Sequence, residues 1–222
     1  MISHRHQCVF VHVPKTAGIS IEHVFLAQYG LTWDERAPLL LRFNPDPALG
    51  PERLGHLTAT EYVDCGHISE AGFNAYFKFA FVRNPWSRLV SEFNYRRYFT
   101  QMSFTEFVRE GFPEPCNYSD AYRHVLPQCD YLYDDTGRCL VDFVGRFENL
   151  QADFDRVCDT VGIPRTLLPH VNASESGEDA SASPRPAGAA AAHAAYYDAE
   201  TRDLVGRLYQ RDIETFGYRF ED

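Results

Sequence analysis

The sequence predicts a single α/β domain over residues 1–222, a central parallel sheet flanked by helices, on three observations. The chain has 222 residues, 45% of them hydrophobic and 14% aromatic, which suits one covered sheet and excludes a disordered chain. Two β-branched and aromatic runs, Cys8–Val13 and Tyr76–Val82, read as buried strands. Each ends in a Gly- or Pro-containing turn that opens a helix, and open α/β sheets bind their ligands outside such carboxyl strand ends.

The first strand runs into Pro14-Lys15-Thr16-Ala17-Gly18, and a helix follows over Ser20–Gln28, where Ile21, Val24, Phe25 and Gln28 recur at helical spacing and Gly30 suits the C-terminal cap. Asp34–Arg53 carries four prolines and reads as a surface excursion that could shape an acceptor cleft. The second strand stops at Arg83-Asn84-Pro85, and Pro85, favoured in a first turn, starts a helix through Leu89, Val90 and Phe93. Phe104–Arg109 and Leu150–Val161 read as helices and Val141–Phe147 as a strand. Residues 174–195 are rich in Ser, Gly, Pro and Ala and read as a mobile loop. A final helix over Tyr197–Phe216 places Leu204, Val205, Leu208, Tyr209 and Ile213 on one buried face.

A formal net charge of −10 opposes nonspecific encounter with nucleic acid or anionic membranes, so neither is expected as a partner. The first apolar run, Cys8–Val13, is too short for a signal segment or a membrane span, which places the chain in the cytoplasm. Cys8, Cys65, Cys116, Cys129, Cys139 and Cys158 form no CxxC pair and no Cys/His metal spacing, so free thiols are expected.

The two turns have the chemistry of anion sites. Backbone N–H groups from Thr16 through Ala17, Gly18 and Ile19 to Ser20 can point at an anion with the positive end of the helix dipole behind them. Gly18 allows close approach, Lys15 adds a mobile cation, and Thr16 and Ser20 add hydroxyls. The order is not that of a Walker A loop, because the lysine precedes the glycine. In the second turn Arg83 offers a planar fork for phosphate, and Ser91 lies eight residues on, within the following helix. Local residue types alone also fit a tight strand-helix turn with a solvated lysine, and an Arg83 paired with Glu92.

Together, Phe10–Ser20 and Phe81–Ser91 resemble the 5′-phosphosulfate loop and the 3′-phosphate segment of sulfotransferases that use 3′-phosphoadenosine 5′-phosphosulfate (PAPS). The similarity is to the carbohydrate branch, with heparan sulfate 2-O-sulfotransferase and the chondroitin and dermatan enzymes. Leu168–Ser174 and Tyr209–Tyr218 are also similar to that family, so the likeness runs in order from Cys8 to Tyr218. The resemblance implies a P-loop-like fold, PAPS as donor with 3′,5′-ADP as product, no metal, a hydroxyl acceptor of saccharide type, and Asn172 and Ser174 closing over the adenosine. The chain departs from the Golgi enzymes in carrying no anchor or stem, which suggests a bacterial-type cytosolic member.

Sulfuryl transfer, like phosphoryl transfer, places attacking and leaving oxygens in line. Lys15 is expected to stabilise charge on the leaving oxygen. His56 in Gly55-His56-Leu57 is the expected base, because imidazole titrates near neutral pH and the segment precedes the second strand as the family's histidine does; His67 is its rival. His12 is expected to pack at the strand end and His170 to order a loop. The alternatives are a nucleotide or sugar kinase, which needs Mg²⁺ carboxylates and a true Walker A loop, and a nucleotide- or glycan-binding module without turnover.

Overall fold

The computed structural model of the protein describes residues 1–116, 118–169 and 192–222. Four strands, β1 (Ile2–Ser3), β2 (Cys8–Val11), β3 (Phe77–Val82) and β4 (Phe143–Arg146), form one sheet in that order. The α-helices in chain order are α1 (Gly18–Tyr29), α2 (Glu61–Asp64), α3 (Glu70–Ala75), α4 (Pro85–Tyr95), α5 (Phe104–Glu110), α6 (Asp120–Val125), α7 (Gln128–Leu132), α8 (Leu150–Val161), α9 (Ala199–Leu208) and α10 (Gln210–Phe216). Two compact units result. One holds the described residues of Met1–Arg83 and Pro113–His170, the other those of Asn84–Phe112 and Val171–Asp222.

The first unit contains the sheet. β2, β3 and β4 are parallel, with Phe10 opposite Phe79 and Phe79 opposite Phe143. The Phe10 and Phe79 rings stack at 5.0 Å. All four residues of β2 are fully buried, as the central position of a parallel sheet requires. Ile21, Val24 and Phe25 of α1 and Phe154, Val157 and Cys158 of α8 pack into one core with these strands. The mixed α/β architecture is the one predicted, except at β1, which pairs antiparallel with β2 through Ile2–Val9 and Ser3–Cys8. A two-residue strand is too short to leave a periodic signal in sequence. Gly30 caps α1 as expected, at φ 68° with its N–H on the Leu26 and Ala27 carbonyls.

In the second unit, Pro85 opens α4 as expected, and the Asn84 side-chain oxygen accepts from the N–H groups of Trp86 and Ser87. Phe93 meets Phe104 edge-on at 5.3 Å and Phe107 at 5.4 Å, which joins α4 to α5. The expected final helix is broken at Tyr209, whose φ of −109° and ψ of 27° leave the helical region, so α9 and α10 are separate. Tyr209 is buried as expected, whereas Leu208 is 47% exposed. Of the stretch read as a mobile loop, residues 174–191 lie outside the described residues. At its end His193 is buried and its Nε2 donates to the Phe220 carbonyl at 2.8 Å. No helix among the described residues is long and apolar enough to cross a membrane, and no disulfide joins the six cysteines.

Candidate active site

The chain leaves β2 at Val11 and does not relax into an ordinary turn. Lys15 has φ 70° and Ala17 has φ 68°, both in the left-handed region that disfavours a Cβ, and α1 begins at Gly18 directly behind them. Such alternation turns successive N–H groups inward into a concavity suited to an anion. Among the described residues no side-chain hydrogen bond caps the start of α1, and no acidic residue stands in its first turn, so its positive end carries no negative side chain of its own. Thr16 is buried and its hydroxyl donates to the Val13 carbonyl at 2.7 Å. That proton holds the turn in shape, whereas the sequence suggested a donor for the ligand. Ile19 and Ser20 are half-buried on the first turn of α1, and the Ser20 N–H bonds to the Ala17 carbonyl at 3.1 Å.

Gly18 has a use that the sequence did not reveal. A Cβ there would lie 2.1 Å from Cδ2 and Nε2 of His12, so the glycine makes room for an imidazole in place of a ligand. His12 is fixed by a 2.7 Å hydrogen bond from Nδ1 to Oε1 of Glu22 and by stacking on Phe10 at 5.4 Å. Both His12 and Glu22 are buried.

At the end of β3, Arg83 comes to the same loop. Its Nη1 donates to the Lys15 carbonyl at 3.3 Å, and its guanidinium lies 4.1 Å from the centre of the Phe147 ring. The Arg83 backbone is clamped by Gln128, which accepts from its N–H and donates to its carbonyl, each at 2.8 Å. The Arg83 guanidinium is thus brought to the backbone of the first turn at Lys15. Arg83 belongs to the first unit and Ser91 to the second, where Ser91 is half-buried on α4. Asn172, Ser174 and His170 lie outside the described residues.

His56 stands one ring away from the loop. Its imidazole meets His12 edge-on at 5.0 Å and His124 at 4.9 Å, and its Nδ1 is 3.3 Å from Oδ1 of Asp120. Burial pushes the His56 imidazole down to about 3; Asp120 opposes that shift, and His124 and His12 add to it. The rival His67 is placed elsewhere, with Nε2 donating to the Leu49 carbonyl at 2.8 Å. Glu22, Asp120 and His124 escaped the sequence reading. The one local signal was the spacing of Asp120 and His124, four residues apart and therefore on one helical face.

A cavity of about 340 Å³ in the first unit is lined by Phe43, Asn44, Glu52, Cys116, Tyr118 and Ser119, among others. Its walls come from the Asp34–Arg53 excursion and from Cys116, Tyr118 and Ser119, and the Glu52 N–H donates to the Tyr118 carbonyl at 3.2 Å to join them. No lysine or arginine lines it among the described residues.

An uncharacterized protein of Archaeoglobus fulgidus is 32% identical over 110 residues, which span 45% of this chain and 79% of that protein. No solved structure matches the chain at a significant level. Residues 1–219 match the family model described as the sulfotransferase family, and with nearly the whole length covered the chain belongs to the sulfotransferase family.

Proposed function

We propose that this sulfotransferase moves the sulfuryl group of PAPS to a saccharide hydroxyl by in-line displacement, within a P-loop-like fold. The observation that carries the reading is the meeting of two strand ends in one unit: the left-handed turn at Lys15 and Ala17, and the Arg83 guanidinium on the Lys15 carbonyl. The donor set fits a nucleotide with phosphates at both ends. Backbone N–H groups from Thr16 to Ile19 suit the 5′-phosphosulfate, Ser20 offers its hydroxyl because its N–H is held by the Ala17 carbonyl, and Arg83 suits a 3′-phosphate, with Ser91, Asn172 and Ser174 assigned to the same nucleotide by resemblance. When bound, PAPS supplies the sulfuryl group and leaves as 3′,5′-ADP.

The chain's own residues then have separate tasks. Lys15 neutralises charge that develops on the leaving oxygen. His56 is the base in this reading; its burial favours the neutral imidazole with a free lone pair but weakens it as a base relative to the near-neutral titration expected from sequence, and Asp120 3.3 Å from Nδ1 opposes that shift by favouring the imidazolium. The cavity walled by Phe43 and Tyr118, with Glu52 and Ser119 as polar groups, supports an uncharged hydroxyl acceptor of saccharide type. A cytoplasmic setting, near the donor's supply, belongs to the same reading. The test is calorimetric titration with 3′,5′-ADP against 5′-AMP. A preference of at least about tenfold for the 3′-phosphate is expected, since charged hydrogen bonds contribute about 1.5–3 kcal/mol. Equal affinities would refute the PAPS reading.

A further inference from the structure

Asp120 and His124 face His56 together. Ser119 caps α6 by accepting from the Tyr122 N–H at 3.1 Å, which fixes the helix start, and the i,i+4 spacing then puts Asp120 and His124 on one side. Oδ1 of Asp120 lies 3.3 Å from Nδ1 of His56 and 3.7 Å from Nε2 of His124. One ligand atom from each of the three side chains lies within 4.8 Å of those of the other two. The side chains are 13%, 15% and 6% exposed for His56, Asp120 and His124, and among the described residues the buried Nδ1 of His56 makes no hydrogen bond.

Metal–nitrogen and metal–oxygen bonds of about 2.0–2.2 Å place neighbouring ligand atoms of a tetrahedral site about 3.3 Å apart. One edge of the cluster already has that length, the second exceeds it by a few tenths, and the third closes by tilting one imidazole. Two imidazoles and one carboxylate select a borderline ion such as Zn²⁺ or Co²⁺ over Mg²⁺ or Ca²⁺, which take oxygen shells. A three-ligand set leaves a fourth position for water. Nε of Arg53 competes for the same Asp120 oxygen at 3.4 Å, on a side chain that is 60% exposed and can turn outward.

We propose that His56, Asp120 and His124 form a site for a zinc-class divalent ion, and that filling it switches the enzyme off. The second half rests on His56 being the base. The Asp120 carboxylate 3.3 Å from Nδ1 favours the His56 tautomer that carries its proton there and keeps the lone pair on Nε2. A metal on Nδ1 requires the other tautomer: the Nδ1 proton passes through solvent to Nε2, the freed Nδ1 lone pair displaces one of the ion's waters, and no lone pair is left on Nε2 to accept a proton.

The experiment titrates chelator-treated protein with Co²⁺, read by its visible d–d absorption, and with Zn²⁺ by calorimetry. Wild type is expected to take up one equivalent with a spectrum free of thiolate bands, and His124→Gln to bind at least about tenfold more weakly. Arg53→Ala, at an exposed position that leaves the fold intact, is expected to bind several-fold more tightly. Unchanged affinity in both variants, or a thiolate band assigning the ion to cysteine, would overturn the site. Metal-saturated protein that still transfers sulfuryl would overturn the switch. A metal-free protein that binds 3′,5′-ADP and 5′-AMP equally would instead count against the PAPS reading, and the cobalt spectrum is independent of that result.

Discussion

Gly18→Ala isolates the packing that joins the candidate loop to the histidine row. The added Cβ would sit 2.1 Å from Cδ2 and Nε2 and 2.5 Å from Cε1 of His12, where nonbonded carbons rest at about 3.5–4.0 Å. The ring must therefore withdraw by more than about 1 Å. Three contacts resist this: the 2.7 Å bond to Glu22, the stack on Phe10 and the edge contact with His56. Overpacking costs about 1–3 kcal/mol, and separating a buried Glu22 from its partner adds about 1–3. Alanine's better helix propensity returns about 1, which leaves a net loss of about 1–5 kcal/mol.

Urea unfolding measures this as a lower midpoint at unchanged slope. The decisive step is the double-mutant cycle with His12→Ala. Without the ring, alanine at position 18 meets no obstacle from it, so the coupling should reach at least about 2 kcal/mol. A Gly18→Ala protein within about 0.5 kcal/mol of wild type, or two costs that simply add, would refute the packing argument.

Lys15→Ala is expected to lower kcat by about 100-fold or more while 3′,5′-ADP affinity falls less than about tenfold, because the charge acts on the leaving oxygen in the transition state; equal losses in steady-state rate and calorimetric affinity would remove that role. Arg83→Ala should abolish the preference for 3′,5′-ADP over 5′-AMP and leave 5′-AMP affinity nearly unchanged, which the same titrations read directly. For His56 the folded pKa of about 3 lies below the unfolded value of 6.5, so the unfolded state binds the extra proton between them. Its contribution to stability is complete above pH 6.5 and declines as pH falls toward 3, by up to about 1.4 kcal/mol per unit. With chelator present, wild type should therefore lose stability on acidification more steeply than His56→Asn, and parallel pH profiles would contradict the burial of a neutral imidazole.

The legible parts of the sequence were those written in local patterns. Cys8–Val11 and Phe77–Val82 announced themselves as continuous apolar runs, Gly30 as a helix stop and Pro85 as a helix start. Antiparallel β1 was too short to show a period, and the break at Tyr209 is a backbone excursion within a helical pattern. At the site, His56 and Arg83 stood out because of their chemistry and their place beside strands. Glu22 did not, because a carboxylate one residue from Ile21 and two from Val24 reads as the solvent face of a helix, and only the fold brings His12 across to it. Asp120 and His124 lie more than sixty positions from His56, and no short-range spacing encodes that approach.

The order of residues in the first turn also acquires a physical reason. In Lys15-Thr16-Ala17-Gly18 the left-handed positions fall on Lys15 and Ala17 instead of on the glycine. Each costs about 1–2 kcal/mol relative to an ordinary backbone. The Thr16 hydroxyl on the Val13 carbonyl and Nη1 of Arg83 on the Lys15 carbonyl hold the strained backbone. Glycine at either left-handed position would relieve the strain, yet it would stand where a Cβ now limits the loop to one conformation, and a flexible loop must be ordered when the anion binds. The only glycine in the turn is instead spent on clearance for His12, which couples the shape of the anion loop to the histidine row beside it. Loop and row are thereby one mechanical piece, so damage at His12 should be felt at the anion loop as well as at His56.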